Sequence, residues 1–253
     1  MNTQEALFKY CCRIGDNSLV LGHRLSEWCG HGPILEEDIA MINIALDQLG
    51  QAKTILAYAG EVEGKGRNED SLAFLRTERE FSNAILTEQP NGHFGTTIAR
   101  QFFMDVFNYY FYHDLHFSKN ETLADFAEKS LKEVTYHMRH TSEWMIRLGD
   151  GTEDSHEKIQ EAIDDLWMFT GELFKMDEVD EVLIAEGIAI DLNKIKGQWS
   201  AKVHEILTEA TLSIPDENMW MQEGGKQGSH SEHLGFLLAE MQSMQRTYPN
   251  MEW

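Results

Sequence analysis

Two acidic residues stand where the chain is otherwise apolar. Between Ile39 and Ala52 the only charged side chain is Asp47, set among Met41, Ile42, Ile44, Leu46 and Leu49. Between Gln101 and Tyr112 the only one is Asp105, set among Phe102, Phe103, Met104, Val106, Phe107 and Phe111. A carboxylate surrounded by hydrocarbon is costly unless it is paired or used. One use is to hold two irons inside a helical bundle, which takes a Glu from each of two helices and a Glu-x-x-His from each of the other two. The carboxylate oxygens bridge and charge-balance the metals, and the His at i+3 adds a nitrogen on the same helix face.

The partners for that chemistry are missing. Glu-x-x-His occurs once, as Glu153 to His156, in a loop and first helical turn, and Asp-x-x-His does not occur. Three residues after Asp47 stands Gly50, three after Asp105 stands Asn108, and three after Glu133 stands Tyr136, with His137 one place late. The residues describe a degenerate bundle site of Asp47, Asp105, Glu133, Tyr136 and His137. Glu133 has a second reading as a surface-edge acid, because it falls roughly 110° from the apolar stripe of its helix. Asp47 and Asp105 also have a second reading, as buried acids paired to arginine, with Arg13 and Arg100 the candidates. His113/His116 and His137/His140 sit one turn apart, and without further ligands they read as solvated or hydrogen-bonded pairs.

A last group of polar residues lies late in the chain, from Gly224 through Gly225, Lys226 and His230 to Glu232 and His233. Three glycines around a lysine make a flexible cationic loop just before a helix start, a place where a phosphate can approach. It is not a P-loop, since the Lys-Ser/Thr spacing is wrong. The reading that weighs against a phosphate site is a loop packed on this chain's own surface or on a partner.

The elements that must position these groups are helices. The four prolines, Pro33, Pro90, Pro215 and Pro249, all fall in stretches that already look like breaks. Proline-free intervals with helical spacing predict helices over about 4–28, 35–60, 94–117 and 121–148. Shorter ones follow from the same signals over about 71–88, 156–173 (capped by Ser155), 178–186, 192–211 (capped by Asp191) and 232–247. No strand pattern, repeat or linker is visible. The predicted fold is all-α, a four-helix bundle with additional C-terminal helices, read as a single domain over 1–253. Helices two and three are apolar nearly all round and are therefore expected to be buried on nearly all sides, with Asp47 and Asp105 buried and charge-paired within them.

Composition narrows the function. A net charge of −22 opposes nucleic acid and anionic lipid. No apolar run reaches membrane-spanning length and the first residues do not form a signal peptide, so a cytoplasmic location is expected. Cys11, Cys12 and Cys29 are an odd set that reads as core packing rather than a disulfide framework.

Motifs in order along nearly the whole chain carry a resemblance. They include Arg13-Ile14-Gly15-Asp16-Asn17, Leu25 to His31, Leu46 to Ala52, Glu88 to Gly92, Ile98 to Gln101, Arg147 to Thr152, Glu209 to Leu212, and Gly224-Gly225-Lys226 with His230 and Glu232 to Gly235. The chain resembles the C subunits of bacterial multicomponent phenylacetyl-CoA epoxidases. The resemblance implies a ferritin-like bundle that is structural rather than catalytic, with no cofactor of its own. It implies a hetero-oligomer with a homologous catalytic A subunit that carries the diiron site, the assembly epoxidising the aromatic ring with dioxygen and electrons from a reductase. Two other classes compete with this expectation: an active diiron oxygenase with unusual ligands, and a free-standing acidic adaptor.

Overall fold

The computed structural model describes residues 1–216, 218–249 and 251, and every regular element among them is helical. Besides three short 3-10 turns, in chain order these are α1 (Thr3–Ser26), α2 (Leu35–Glu63), α3 (Glu69–Phe74), α4 (Ile85–Glu88), α5 (Phe94–Leu115), α6 (Glu121–Gly149), α7 (Glu153–Trp167), α8 (Glu178–Glu186), α9 (Leu192–Glu209), α10 (Glu232–Met241) and α11 (Ser243–Thr247). The all-α expectation holds, and all four prolines lie outside the helices. Two local expectations fail. Thr152, not Ser155, caps α7, because the two hydroxyls cap reciprocally: Ser155 N–H donates to Thr152 Oγ1 and Thr152 N–H to Ser155 Oγ. The last helix is two, since the chain turns at Gln242, whose side chain is buried and donates to the carbonyls of Ala73 and Arg76. The described chain forms two compact units, residues 1–90 with 223–253, and residues 91–222.

The first unit is built on α1 and α2 packed antiparallel. Gln4 Nε2 donates to Val62 O at one end, Gly15 lies beside Leu56, and Gly22 lies beside Ala45 and Leu49 further along. Gly15 and Gly22 are seven residues apart, so they share one face of α1 and admit α2 closely. A Cβ at Gly15 would sit 2.6 Å from Leu56 Cδ2. Cys11 and Cys12 are buried here, and burial with the nearby Asp16 carboxylate pushes the Cys12 thiol up to about 12. Cys29 departs from the core-packing expectation and is exposed in the turn after α1.

The irregular stretch between α3 and α4 is organised by one buried carboxylate. Asp16 of α1, with no exposed surface, accepts both terminal nitrogens of Arg76, together with the backbone N–H (2.9 Å) and hydroxyl (3.2 Å) of Ser82. Arg76 also donates to the carbonyls of Leu72 and Glu80 and lies 4.2 Å over the Phe81 ring. Burial works against this cation, and the Asp16 charge outweighs it, so the Arg76 pKa is raised.

The structure corrects the expectation for α2. Leu35, Ile39 and Leu46 are 71%, 51% and 60% exposed, so the helix is not buried all round. Asp47, next to Leu46 in the chain, is half-buried rather than buried, and Gln48 is the polar residue turned inside. In α5 the expectation holds over residues 97–108, which are all buried, while His113 near its end is exposed.

The second unit is centred on α5 and α6, also antiparallel: Phe94 meets Trp144 edge-on at one end and Tyr112 meets Phe126 at the other. Phe103 of α5 packs on Trp167 of α7 and Trp199 of α9, and Trp199 Nε1 donates to the Phe103 carbonyl (3.0 Å). Gly149 closes α6 against the turn after α9, where a Cβ would fall 2.3 Å from the Ala210 carbonyl.

Removing one partner of a buried ion pair strands the other charge. Arg76→Ala is therefore expected to lower stability by about 3–5 kcal/mol in urea unfolding, with Arg76→Lys recovering only part, since an ammonium cannot fork. An unfolding midpoint unchanged in Arg76→Ala would contradict this.

Candidate functional site

Within the second unit, Asp105 lies midway along α5 with no exposed surface. Gln101, one turn earlier, donates its Nε2 to Asp105 Oδ1 (2.7 Å), and the hydroxyl of Thr141 on α6 lies 3.0 Å from Oδ2. The same hydroxyl is 3.0 Å from the His137 carbonyl, one turn back on α6. A hydroxyl has one proton, so when Thr141 donates to that carbonyl it can accept a proton donated by a neutral Asp105. Burial raises the Asp105 pKa to about 7, against the opposing pull of His137 and of the hydrogen bonds from Gln101 and Thr141. The arrangement can hold or release one proton in a dry, aromatic interior. It offers one carboxylate where two irons would need several.

The remaining sequence candidates do not assemble around it. His137 is buried beside Asp105, but Glu133 is half-buried and Tyr136 is 43% exposed, stacked on His140 with Arg139 over its ring. Asp47 belongs to the other unit. The expected pairing of Asp105 with an arginine is not found. Arg100 is fully buried on α5 and donates to Asn91 Oδ1 (2.7 Å), while Asp105 is held by Gln101 and Thr141. Positions 100 and 105 differ by about 140° on a helical wheel, which turns the two side chains apart. Arg13 is buried in α1. Among the described residues no three His, Cys, Asp or Glu side chains converge in a way that could hold a metal ion. The lone Glu-x-x-His is accounted for locally: Glu153 opens α7, and His156 Nδ1 lies 2.7 Å from the Gly149 carbonyl. Gln48 is fully buried with neither amide atom hydrogen-bonded among the described residues, a polar interior group that reading Asp47 as the site acid passed over.

The glycine-rich segment packs on the first unit. Gly224 and Gly228 have φ of 138° and 77°, and a Cβ at Gly228 would lie 2.3 Å from the Arg79 carbonyl. Gly225 is buried, Lys226 and His233 are half-exposed and Glu232 is exposed. His230 is turned inward: its side chain has no exposed surface, with Nδ1 2.9 Å from Glu88 Oε2 and Nε2 3.0 Å from the Phe81 carbonyl. Both ring nitrogens face acceptors, an arrangement that favours the doubly protonated, cationic ring. Burial alone would lower the His230 pKa, but the bonds to Glu88 and Phe81 outweigh it and the net shift is upward. Glu88 also accepts from Ser231 N (2.6 Å) and Asn83 Nδ2 (2.9 Å), and its carbonyl accepts from Arg24. His230 is therefore enclosed by its own chain, and the surface this segment presents comes from other residues, Lys226, Gln227, Ser229, Glu232 and His233 among them. Neither Asp16–Arg76 nor Glu88–His230 is read from the sequence, because nothing local signals pairings 60 and 142 residues apart.

The family described as phenylacetic acid catabolic protein matches residues 1–253. The C subunit of the 1,2-phenylacetyl-CoA epoxidase of Escherichia coli (strain K12) is 50% identical over 247 residues, covering 98% of this chain and 99% of that protein. No helix among the described residues is long and apolar enough to cross a membrane.

Two pH dependences follow. Asp105 binds a proton more tightly folded (about 7) than unfolded (3.8), so its contribution to stability falls as pH rises between those values and is flat above. Asp105→Asn mimics the neutral acid, and should remove this slope and be at least as stable as wild type at pH 8; a slope unchanged in the mutant would count against it. His230 has a raised folded pKa, so its contribution is complete below the unfolded value of 6.5 and is lost as pH rises through the folded one. Hydrogen exchange over residues 224–247 should quicken in His230→Leu, and in wild type as pH passes that point once intrinsic exchange is corrected. Equal protection in mutant and wild type would refute this role of His230.

Proposed function

We propose, since the chain belongs to the phenylacetic acid catabolic protein family, that it is the non-catalytic, ferritin-like structural subunit of a phenylacetyl-CoA ring-epoxidising oxygenase in aerobic phenylacetate breakdown. It works in the cytoplasm, in a hetero-oligomer with a homologous catalytic subunit that holds the diiron centre, and it binds neither nucleic acid nor membrane. The whole chain, 1–253, acts as one ferritin-like helical subunit. The observation that carries this reading is the 50% identity to the C subunit of the Escherichia coli epoxidase over 98% of the chain.

The interior supports the non-catalytic half of the proposal. A binuclear iron site needs about four carboxylates and two histidines converging from four helices. The mid-helix acid Asp105 is met by a glutamine, a threonine and one histidine. Its Gln101 and Thr141 contacts satisfy a neutral or singly charged acid, which is how a bundle keeps a carboxyl without a metal.

Purified chain should carry well under about 0.1 iron per molecule, where a working site would hold about two. Co-expressed with the other subunits of such an oxygenase, the chain should co-purify with the iron-bearing subunit and be required for turnover of phenylacetyl-CoA. Near-stoichiometric iron with a diiron absorbance in the isolated chain would replace the proposal with an active oxygenase. A chain that ignores the oxygenase subunits would point to a free-standing adaptor.

A further inference from the structure

We infer that the outward face of α2, with the cleft at its end, docks an amphipathic helix of the catalytic partner subunit whose apolar stripe is flanked by lysines and arginines. The inference rests on the reading above that the chain is one subunit of an oxygenase. Leu35, Ile39 and Leu46 are exposed and spaced by four and seven residues, which puts them on one line along the helix. Ile42 and Leu49, each half-exposed, fill that line. Gly50 continues it with nothing within 4 Å of where a Cβ would be, leaving room for a neighbouring backbone to come close. Three aliphatic side chains more than half exposed on one helix face are unusual unless something covers them.

The line leads into a cleft of about 270 Å³ between α1, α2 and α3, walled by Leu19, Leu49, Leu56 and Phe74. Lys53, Glu69 and Asp70 stand at the same opening. An apolar stripe ending in a concave apolar hollow with a charged rim has the form of an interface that takes one large anchoring side chain.

Charge selects the occupant. Glu36, Asp38 and Asp47 accompany the stripe, and Lys53 is the only cation of α2. A second copy of the chain would bring the same excess of carboxylates on top of a net charge of −22 apiece. Like charges brought together across an interface oppose association, whereas a basic-flanked helix gains from them.

The test compares wild type with Ile39→Lys/Leu46→Lys in binding to the co-expressed remainder of the oxygenase, beside melting curves and solution masses of the isolated chains. Both positions are exposed, so the variant should melt as wild type does while its affinity for the partner subunits falls on the order of thirtyfold or more. Leu46→Met, which keeps the apolar contact, should bind as wild type. Wild-type capture by the partner with equal capture of the lysine variant would overturn the docking face and leave the subunit reading standing. Failure of wild type itself to be captured would overturn the subunit reading. A wild-type dimer that the lysine variant turns into a monomer would assign the face to a second copy and overturn the choice of partner.

Discussion

The first unit depends on a carboxylate that cannot reach water. Asp16 sits inside α1 with no exposed surface, and each of its oxygens is taken up by a donor from residues 76–82. That stretch contains little regular structure and could not hold a shape by helical hydrogen bonding. It takes its shape from the demand that a buried anion be neutralised and a buried guanidinium be filled. Gln242 and Arg246 then donate to the Arg76 carbonyl, so the two terminal helices are tied to the same point. A buried ion pair of this kind contributes less net stability than specificity of arrangement: few other chain paths satisfy every donor at once.

The second unit answers the same problem differently. Asp105 has no cation within hydrogen-bonding distance, and burial shifts its pKa toward neutrality instead. Pairing fixes two chain segments relative to each other; protonation asks only for a nearby acceptor. The two solutions match their settings, since Asp16 must order an irregular stretch whereas α5 is a straight helix packed by aromatic rings from α7 and α9. In a dry bundle interior, an acid that can become neutral is tolerated where a cluster of charged acids would repel itself.

Much of the fold was legible in the sequence. Proline scarcity and helical spacing located the four long helices to within a few residues, because both report on local backbone cost. The errors lay where local pattern is silent. The apolar run of α2 looks the same whether a neighbouring helix or another molecule covers it, so Ile39 and Leu46 were assigned to an interior they do not occupy. Asp47 went wrong with them, being one residue away from Gln48 on the wheel. Of the site candidates, Asp105 and His137 do meet, but their true companions, Gln101 and Thr141, carry no charge to draw attention. Asp16–Arg76 and Glu88–His230 were invisible because pairing across 60 and 142 residues is a property of the fold rather than of any segment.

That last separation also sets an order of events on the ribosome. Glu88 emerges 142 residues before His230. At about 5–20 residues per second, roughly 7–30 s of synthesis pass between them, longer than a small helical unit needs to fold. Throughout that interval the whole of residues 91–222 can be made and packed, while Glu88 and the carbonyls of Ala73, Arg76 and Phe81 wait without the C-terminal groups that will bond to them. The first unit begun is therefore the last one finished, its closing groups made only after the whole of residues 91–222.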